Sequence, residues 1–148
     1  MELPSEGRVL DLGCGYGVIG ITASKTDPRL DVWMTDVNSR AVALAEENAR
    51  RNGVHTTIRR GSLYEPVKSE KFYTILTNPP ISAGMVGVVE PMIFGASAYL
   101  DSGGSLQLVV QSNKGGRTVA RLMEAAFGEV RVLAKGSGYR VLKGVKGS

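Results

Sequence analysis

Short apolar runs alternate along this chain with longer segments in which apolar residues recur at helical spacing. Each run is short enough for one strand, and residues 105–110 are apolar enough for a strand that is covered on both faces. The pattern predicts seven strands, at residues 8–12, 31–35, 56–59, 72–77, 105–110, 130–134 and 139–142.

The segments between these strands predict helices at residues 18–25, 38–52, 91–100 and 117–127. Asn38 is a good N-cap for the second helix, and Gly53 follows its end. Pro91 is tolerated because it falls in the first turn of the third helix. Residues 82–90 predict a looser segment, and residues 101–104 predict a turn into the fifth strand.

Alternating strands and helices are typical of an α/β domain with a mostly parallel sheet. The sequence Gly136-Ser137-Gly138 separates the last two predicted strands at hairpin distance, so the last strand should be antiparallel to its neighbour. No repeat or linker divides the 148 residues. We therefore expect a single domain over residues 1–148, and a domain of this length buries roughly 68–70% of its unfolded surface.

A glycine-rich turn follows the first predicted strand. Gly13, Gly15 and Gly17 allow positive φ and let a ligand approach the backbone. Asp36 ends the second strand, where a carboxylate can accept hydrogen bonds from ribose hydroxyls. This combination predicts a site for a nucleoside-containing cofactor. Asp11, just ahead of the glycines, either suits an amine-bearing ligand or accepts backbone N–H groups within the turn.

The sequence Asn78-Pro79-Pro80-Ile81 follows the fourth predicted strand. Asn before Pro favours an extended conformation, and the two prolines fix the next two φ angles. The Asn78 side-chain oxygen and the Pro79 carbonyl are two hydrogen-bond acceptors, which match an exocyclic amino group on a planar molecule. The alternative is a rigid turn in which the Asn78 amide caps local backbone. Because the glycine turn and Asp36 lie upstream, the binding interpretation is favoured.

These motifs should meet at one edge of the sheet. In open α/β sheets, ligands bind beyond the carboxyl ends of the strands, where the strand order reverses. The glycine turn, Asp36, Gly61-Ser62 and Asn78-Pro79-Pro80 follow the carboxyl ends of the first four predicted strands.

Together these motifs resemble the class I S-adenosylmethionine-dependent methyltransferases. More narrowly, they resemble the small-domain group that contains the 16S rRNA guanine-N2 methyltransferases of the RsmC kind. Residues 138–143, Gly-Tyr-Arg-Val-Leu-Lys, also resemble that group, and the likeness covers nearly the whole chain. It implies a Rossmann-like fold with a seven-stranded sheet whose last strand is antiparallel.

The resemblance also implies a set of site residues. S-adenosylmethionine, which leaves as S-adenosylhomocysteine, would lie over the glycine turn. The implied cofactor-binding residues are Asp11, Gly13, Cys14, Gly15, Tyr16, Gly17, Asp36, Val37, Ser62, Leu63 and Asn78. The implied catalytic residues are Asn78, Pro79, Pro80 and Ile81, of which Asn78 and Pro79 would bind the amino group that is methylated.

The chain departs from the family pattern at three places. Ile81 stands where many relatives carry an aromatic residue that stacks on the target base, and Ser62 stands where relatives often have an Asp that binds the adenine amino group. Relatives also carry an N-terminal segment that helps to close the cofactor pocket, whereas this chain starts almost at its first strand.

Charge favours a polyanionic partner. Residues 111–148 hold eight basic and two acidic side chains, a net charge of +6, whereas residues 1–110 hold ten basic and twelve acidic ones. Lys114, Arg117 and Arg121 can contact RNA phosphates or form a solvated helix face, and Tyr139 and Arg140 leave the same two alternatives open. The family resemblance then implies an N-methyltransferase whose substrate is ribosomal RNA, with guanine N2 as the favoured acceptor.

Other activities remain as alternatives: methylation of a protein glutamine or of DNA adenine, a nicotinamide-dependent oxidoreductase, or a non-catalytic RNA-binding module. The single cysteine, Cys14, excludes an internal disulfide and fits a cytoplasmic protein. No Cys/His cluster predicts a metal, and no apolar run approaches the roughly 20 residues that span a membrane. The oligomeric state is not indicated by the sequence.

Overall fold

The computed structural model describes residues 1–147, so Ser148, the last residue of the predicted domain, lies outside the described residues. Seven strands form one sheet in the order β3-β2-β1-β4-β5-β7-β6. Within residues 1–147, β7 runs antiparallel to both of its neighbours, β5 and β6, and the other neighbouring strands are parallel to one another. The predicted fold, a mostly parallel seven-stranded sheet with an antiparallel last strand, is confirmed.

The strands lie close to their predicted positions. Their bounds are β1 Arg8–Leu12, β2 Asp31–Asp36, β3 Thr57–Arg60, β4 Phe72–Thr77, β5 Leu100–Gln111, β6 Arg131–Gly136 and β7 Tyr139–Val145. The α-helices are α1 Val18–Thr26, α2 Ser39–Arg51, α3 Glu90–Gly95 and α4 Gly116–Phe127.

Helices cover both faces of the sheet. Val9 and Met34 in the strands pack with Ile21 of α1 and Ala49 of α2 in one apolar cluster. The opposite face forms a larger cluster, whose members include Leu10, Leu106, Met92, Ile93, Val119 and Met123 from β1, β5, α3 and α4. Alternate residues of a strand point to opposite faces, so β1, β2 and β4 each contribute to both clusters.

Local sequence signals explain where α2 begins and ends. The Asn38 side chain accepts hydrogen bonds from the N–H groups of Arg40 (2.8 Å) and Ala41 (3.2 Å), which confirms the predicted N-cap. Gly53, just beyond the end of the helix, has a φ of 66°. An L-residue rarely adopts this conformation, so glycine ends the helix there.

The predicted helix at 91–100 and the looser segment at 82–90 are both wrong in extent. A 3₁₀ turn (Ile81–Ala83) and a π-helical turn (Met85–Val89) precede α3, and a second 3₁₀ turn (Ala96–Tyr99) follows it. Val89, Met92, Ile93 and Ala96 form one buried stripe across these elements. Pro91 lies in the first turn of α3, as predicted, and burial of that stripe continues helical turns on both sides of the α-helix.

The turn predicted at 101–104 lies within β5. The Gly103 N–H donates to the Lys146 carbonyl (2.9 Å), and the Lys146 N–H donates to the Gly104 carbonyl (2.8 Å). The chain after β7 therefore extends the antiparallel pairing of β5 past the glycines. On the other side of β5, the ladder with β4 shifts its register between Phe72 and Thr74. A Cβ on Gly104 would lie 2.6 Å from the Tyr73 carbonyl oxygen, so a glycine is required here.

A buried carboxylate joins β1 to α1. Asp11 is 1% exposed, and its Oδ2 accepts a hydrogen bond from the Gly20 N–H at 2.9 Å. Gly20 permits this close packing, because a Cβ there would collide with the Met34 sulfur. Burial raises the pKa of Asp11 to about 7, the nearby Asp36 charge adds to the rise, and the Gly20 N–H opposes it.

Replacing Asp11 by Asn should make the stability of the protein less dependent on pH. The pKa of Asp11 is about 7 in the folded protein and 3.8 ordinarily, so folding takes up a proton between these values. The contribution of Asp11 to stability should therefore be present below about pH 4 and be lost as the pH rises to about 7. Urea unfolding of both proteins at several pH values measures the difference.

The free energy of unfolding of Asp11→Asn, relative to the unmodified protein, should rise across this window by up to roughly 1.4 kcal/mol per pH unit. Other titrating groups are common to both proteins and cancel in the comparison. Parallel pH profiles would contradict the raised pKa.

Candidate active site

Two cavities lie at the carboxyl edge of the sheet, and Asn78 lines both. Each has a volume of about 410 Å³. We call the one beside Gly13 and Asp36 the glycine-turn cavity, and the one beside Pro79 and Ile81 the Asn-Pro-Pro cavity. The strand order reverses between β2 and β4, the two neighbours of β1, which is where an open α/β sheet forms its ligand crevice.

The glycine-turn cavity brings together motifs from four strands. Its lining includes six of the predicted cofactor-binding residues, namely Gly13, Asp36, Val37, Ser62, Leu63 and Asn78. It also includes residues that the sequence did not indicate, namely Leu12, Thr35, Ala83, Gly87, Val88 and Met92. The apolar spacing of Met85, Val88 and Met92 is the signal that would have placed their segment against the site.

The other predicted cofactor-binding residues, Asp11, Cys14, Gly15, Tyr16 and Gly17, lie outside this lining and build the turn behind it. The Cys14 N–H donates to the Thr35 carbonyl (2.8 Å), and the Tyr16 carbonyl accepts from the Asn48 side chain (2.9 Å). Burial raises the pKa of the Cys14 thiol to about 12, with help from the Asp11 and Asp36 charges. Cys14 is therefore a neutral thiol that packs in the turn.

Asp36 is held at the rim of the glycine-turn cavity by two backbone groups. Its Oδ2 accepts from the Gly15 N–H and its Oδ1 from the Asn38 N–H, both at 2.9 Å. Each carboxylate oxygen has a further lone pair, so Asp36 can still accept two hydroxyl hydrogen bonds. The glycine turn thus fixes the Asp36 carboxylate at the cavity rim with a further lone pair on each oxygen.

The walls beside Asp36 are apolar. Val37, Leu63, Val88 and Met92 line the cavity, and Val37 is 64% exposed. Leu63 has a φ of 50°, an uncommon conformation for a branched residue, which places it at the cavity wall. Apolar walls beside a carboxylate suit a ligand that combines a flat heteroaromatic ring with hydrogen-bond donors.

The Asn-Pro-Pro corner is tied to the glycine turn. The buried Thr77 hydroxyl donates to the Leu12 carbonyl at 2.7 Å and so joins the ends of β4 and β1. The Pro79 carbonyl accepts from the Ile81 N–H (2.9 Å), and the Pro80 carbonyl accepts from the Ala83 N–H (2.8 Å). These bonds make a stiff corner that leaves the Asn78 side chain exposed.

All four predicted catalytic residues, Asn78, Pro79, Pro80 and Ile81, line the Asn-Pro-Pro cavity. Its other walls come from the end of β5, the loop after it and the start of β7, through residues that include Val109, Gln111, Lys114 and Tyr139. Ile81 packs against the larger apolar cluster, and a Cβ on Gly115 would lie 3.4 Å from its side chain.

A basic cavity of about 420 Å³ lies on the other side of the loop that follows β5. Arg117 and Arg140 line it with Ser112, and the Arg140 Nε donates to the Ser112 hydroxyl at 3.2 Å. None of the ion pairs formed within residues 1–147 involves Lys114, Arg117 or Arg140. Their charges are therefore available to an anionic ligand. Arg121, one turn further along α4, is exposed and lines neither cavity.

The remaining features do not point to a second active site. A larger open groove of about 500 Å³ lies between the end of α2 and the start of β3, at the amino ends of the strands, and includes His55. Within the described chain, no three His, Cys, Asp or Glu side chains come together as ligands for a metal ion. None of the helices in residues 1–147 has the length and apolarity needed to cross a membrane.

Comparison with known proteins agrees with this geometry. The family model "Methyltransferase small domain" matches residues 1–143. The Bacillus subtilis strain 168 protein YbxB, described as uncharacterized, is 39% identical over 95% of this chain and 71% of its own length. The ribosomal RNA small subunit methyltransferase C of Yersinia enterocolitica is 30% identical over 97% of this chain, which spans only 41% of that enzyme.

Solved structures give the same result. The 16S rRNA N2 methyltransferase RsmC of Thermus thermophilus, in complex with AdoMet and guanosine, is 26% identical with a TM-score of 0.84 over 95% of this chain and 37% of its own. A ribosomal protein L11 methylase from Lactobacillus delbrueckii, 20% identical with a TM-score of 0.79 over 95% of this chain and 71% of its own, shares the fold.

The cofactor of such methyltransferases is S-adenosylmethionine, and the carboxylate, the glycine turn and the apolar walls of the glycine-turn cavity fit it. The chain belongs to the methyltransferase small domain family.

Proposed function

We propose that this protein transfers a methyl group from S-adenosylmethionine to an exocyclic amino group, and that the acceptor is N2 of a guanine in ribosomal RNA. The observation that carries the proposal is the position of Asn78, which lines both the glycine-turn cavity and the Asn-Pro-Pro cavity. A side-chain oxygen placed there can contact an amino group that enters from one cavity while a methyl donor occupies the other.

In this proposal the glycine-turn cavity holds the cofactor. Asp36 accepts hydrogen bonds from the ribose, Val37 and Leu63 contact the adenine, and Ser62 accepts from the adenine amino group. Gly13 and the turn behind it let the cofactor approach the backbone closely. Asp11 lies behind this wall, where it holds α1 through Gly20.

The Asn-Pro-Pro corner positions the acceptor. When bound, S-adenosylmethionine supplies a methyl group on a positively charged sulfur, which makes the methyl carbon electrophilic. The Asn78 oxygen and the Pro79 carbonyl accept the two N–H groups of the acceptor and orient its nitrogen toward the glycine-turn cavity. The Pro79 carbonyl already accepts the Ile81 N–H, but its second lone pair is available.

These two acceptors also stabilise the positive charge that develops on the acceptor nitrogen. Correct positioning alone can remove roughly 7–11 kcal/mol of a barrier. The methylated nitrogen is acidic and releases its proton to water. No strong base is required, and the described lining of the Asn-Pro-Pro cavity contains neither an acid nor a histidine.

Two observations support RNA as the substrate. Lys114 lines the Asn-Pro-Pro cavity, Arg117 and Arg140 lie across the adjoining loop, and none of the three forms an ion pair within residues 1–147. The Yersinia and Thermus relatives are named as 16S or small-subunit rRNA methyltransferases, and the Thermus structure contains guanosine. A base within a duplex would have to be flipped out to reach Asn78.

Incubation with radiolabelled methyl donor tests the substrate class. Ribosomal RNA, intact ribosomal subunits, DNA and bulk protein are offered separately, and the label should enter RNA as N2-methylguanine. Label in DNA adenine or in protein glutamine would instead support the alternatives that use a similar acceptor pair. Cofactor binding without transfer to any of these substrates would favour a non-catalytic module.

Replacing Asn78 by Ala should abolish transfer but leave the cofactor bound. Loss of one such preorganised hydrogen-bonding group lowers kcat by at least about 100-fold. The affinity for S-adenosylmethionine in calorimetry should change by no more than a few-fold, because Asp36 and the apolar walls are unaltered. Asn52→Ala, on an exposed residue just beyond α2, is the matched control. Loss of cofactor binding together with activity would show that Asn78 is structural.

Replacing Arg117 by Ala should weaken RNA binding and make it less sensitive to salt. If Arg117 neutralises one phosphate, the slope of log K against log salt concentration should fall in magnitude by about 1. Arg121→Ala removes the same charge from the same helix and should leave the slope near that of the unmodified protein. Equal effects of the two substitutions would indicate a diffuse charge effect and no phosphate contact at Arg117.

A further inference from the structure

We propose that Tyr139 forms the stacking surface for the acceptor base, on the wall of the Asn-Pro-Pro cavity opposite the Asn-Pro-Pro corner. The inference rests on the proposed function, because it concerns the same cavity and the same class of substrate. Its basis is a half-exposed aromatic ring, held at a fixed position, in a cavity whose corner residue is aliphatic.

A planar acceptor base is held best when a flat side chain stacks on its face. Asn78 and Pro79 can fix an amino group through two hydrogen bonds in the plane of the ring, but they supply no surface parallel to the ring. Ile81 is branched and partly buried, and its side chain packs against the core and the Gly115 turn. Among the described residues that line this cavity, Tyr139 is the only aromatic one.

The structure holds Tyr139 in place from three directions. Ser137 (φ 53°) and Gly138 (φ 80°) form the two-residue turn between β6 and β7, a tight hairpin that begins β7 at Tyr139. The Ser112 N–H donates to the Gly138 carbonyl at 2.7 Å. Gln111 lies directly across the β5–β7 ladder, and its Nε2 donates to the Tyr139 hydroxyl at 3.1 Å.

This placement leaves a large apolar surface in water. Tyr139 is 44% exposed, although its hydroxyl is fixed by Gln111. Aromatic side chains that are rigid and exposed beside a cavity are typical platforms for unpaired bases, since every base has a flat face. Tyr73 is 43% exposed as well, but it lies near the amino end of β4, at the other edge of the sheet, and serves as the matched control.

The test measures binding of guanosine and methylation of RNA by four proteins. They are the unmodified protein, Tyr139→Phe, Tyr139→Leu and Tyr73→Leu, each loaded with S-adenosylhomocysteine for the guanosine titrations. Tyr139→Leu should weaken guanosine binding by about tenfold or more and raise the KM for RNA similarly, with cofactor affinity within twofold. Tyr139→Phe keeps the ring and should remain close to the unmodified protein, as should Tyr73→Leu.

The conservative variant separates stacking from a structural role. If Tyr139 acts only through its bond to Gln111, then Phe and Leu should be equally impaired, and that result would overturn the inference. Unchanged guanosine binding and RNA KM in Tyr139→Leu would also overturn it, while leaving the proposed function intact. If the unmodified protein methylates protein and not RNA, then the proposed function fails, and the base platform fails with it.

Discussion

The pairing of β1 with β4, reinforced by the hydrogen bond from the Thr77 hydroxyl to the Leu12 carbonyl, determines how the site is assembled. It joins the carboxyl ends of β4 and β1 at the point where the strand order reverses. The chain leaves β1 into the glycine turn and leaves β4 into the Asn-Pro-Pro corner, so the two motifs lie on either side of this bond. A buried, uncharged contact thus helps to set the relative position of the glycine turn and the Asn-Pro-Pro corner, which lie far apart in sequence.

Backbone rigidity provides the groups at this edge with a fixed geometry. Three glycines with positive φ let the turn double back so that the Gly15 N–H reaches Asp36, and two prolines with their following turns hold Asn78 outward. Neither group needs a flexible loop to bring it into position. A reaction that depends mainly on alignment, as methyl transfer from a sulfonium does, benefits directly from such preorganisation.

The parts of the fold that depend on local signals could be predicted from the sequence. The Asn38 cap, the alternation of strands and helices, and the clustering of motifs at strand ends are all encoded within a few residues. The helical turns at 81–89 could not be, because they are selected by burial of the stripe that includes Val89 and Met92 against strands that are distant in sequence. The glycines at 103–104 indicate a turn locally, and only pairing with Lys146 makes them part of β5.

The same distinction between local signals and long-range packing explains which residues of the candidate site could be predicted. Asp36 and Asn78 follow strands and were predictable, whereas Tyr139 enters the Asn-Pro-Pro cavity only because β7 is antiparallel to β5 and begins beside Gln111. Ile81 packs against the core and against Gly115. A larger aromatic ring at that position would therefore collide with the loop after β5. A flat surface on the opposite wall avoids this conflict. In the role proposed for Tyr139, the hairpin supplies the flat surface that the Asn-Pro-Pro corner of this chain lacks, and the antiparallel last strand then contributes to recognition as well as to the sheet.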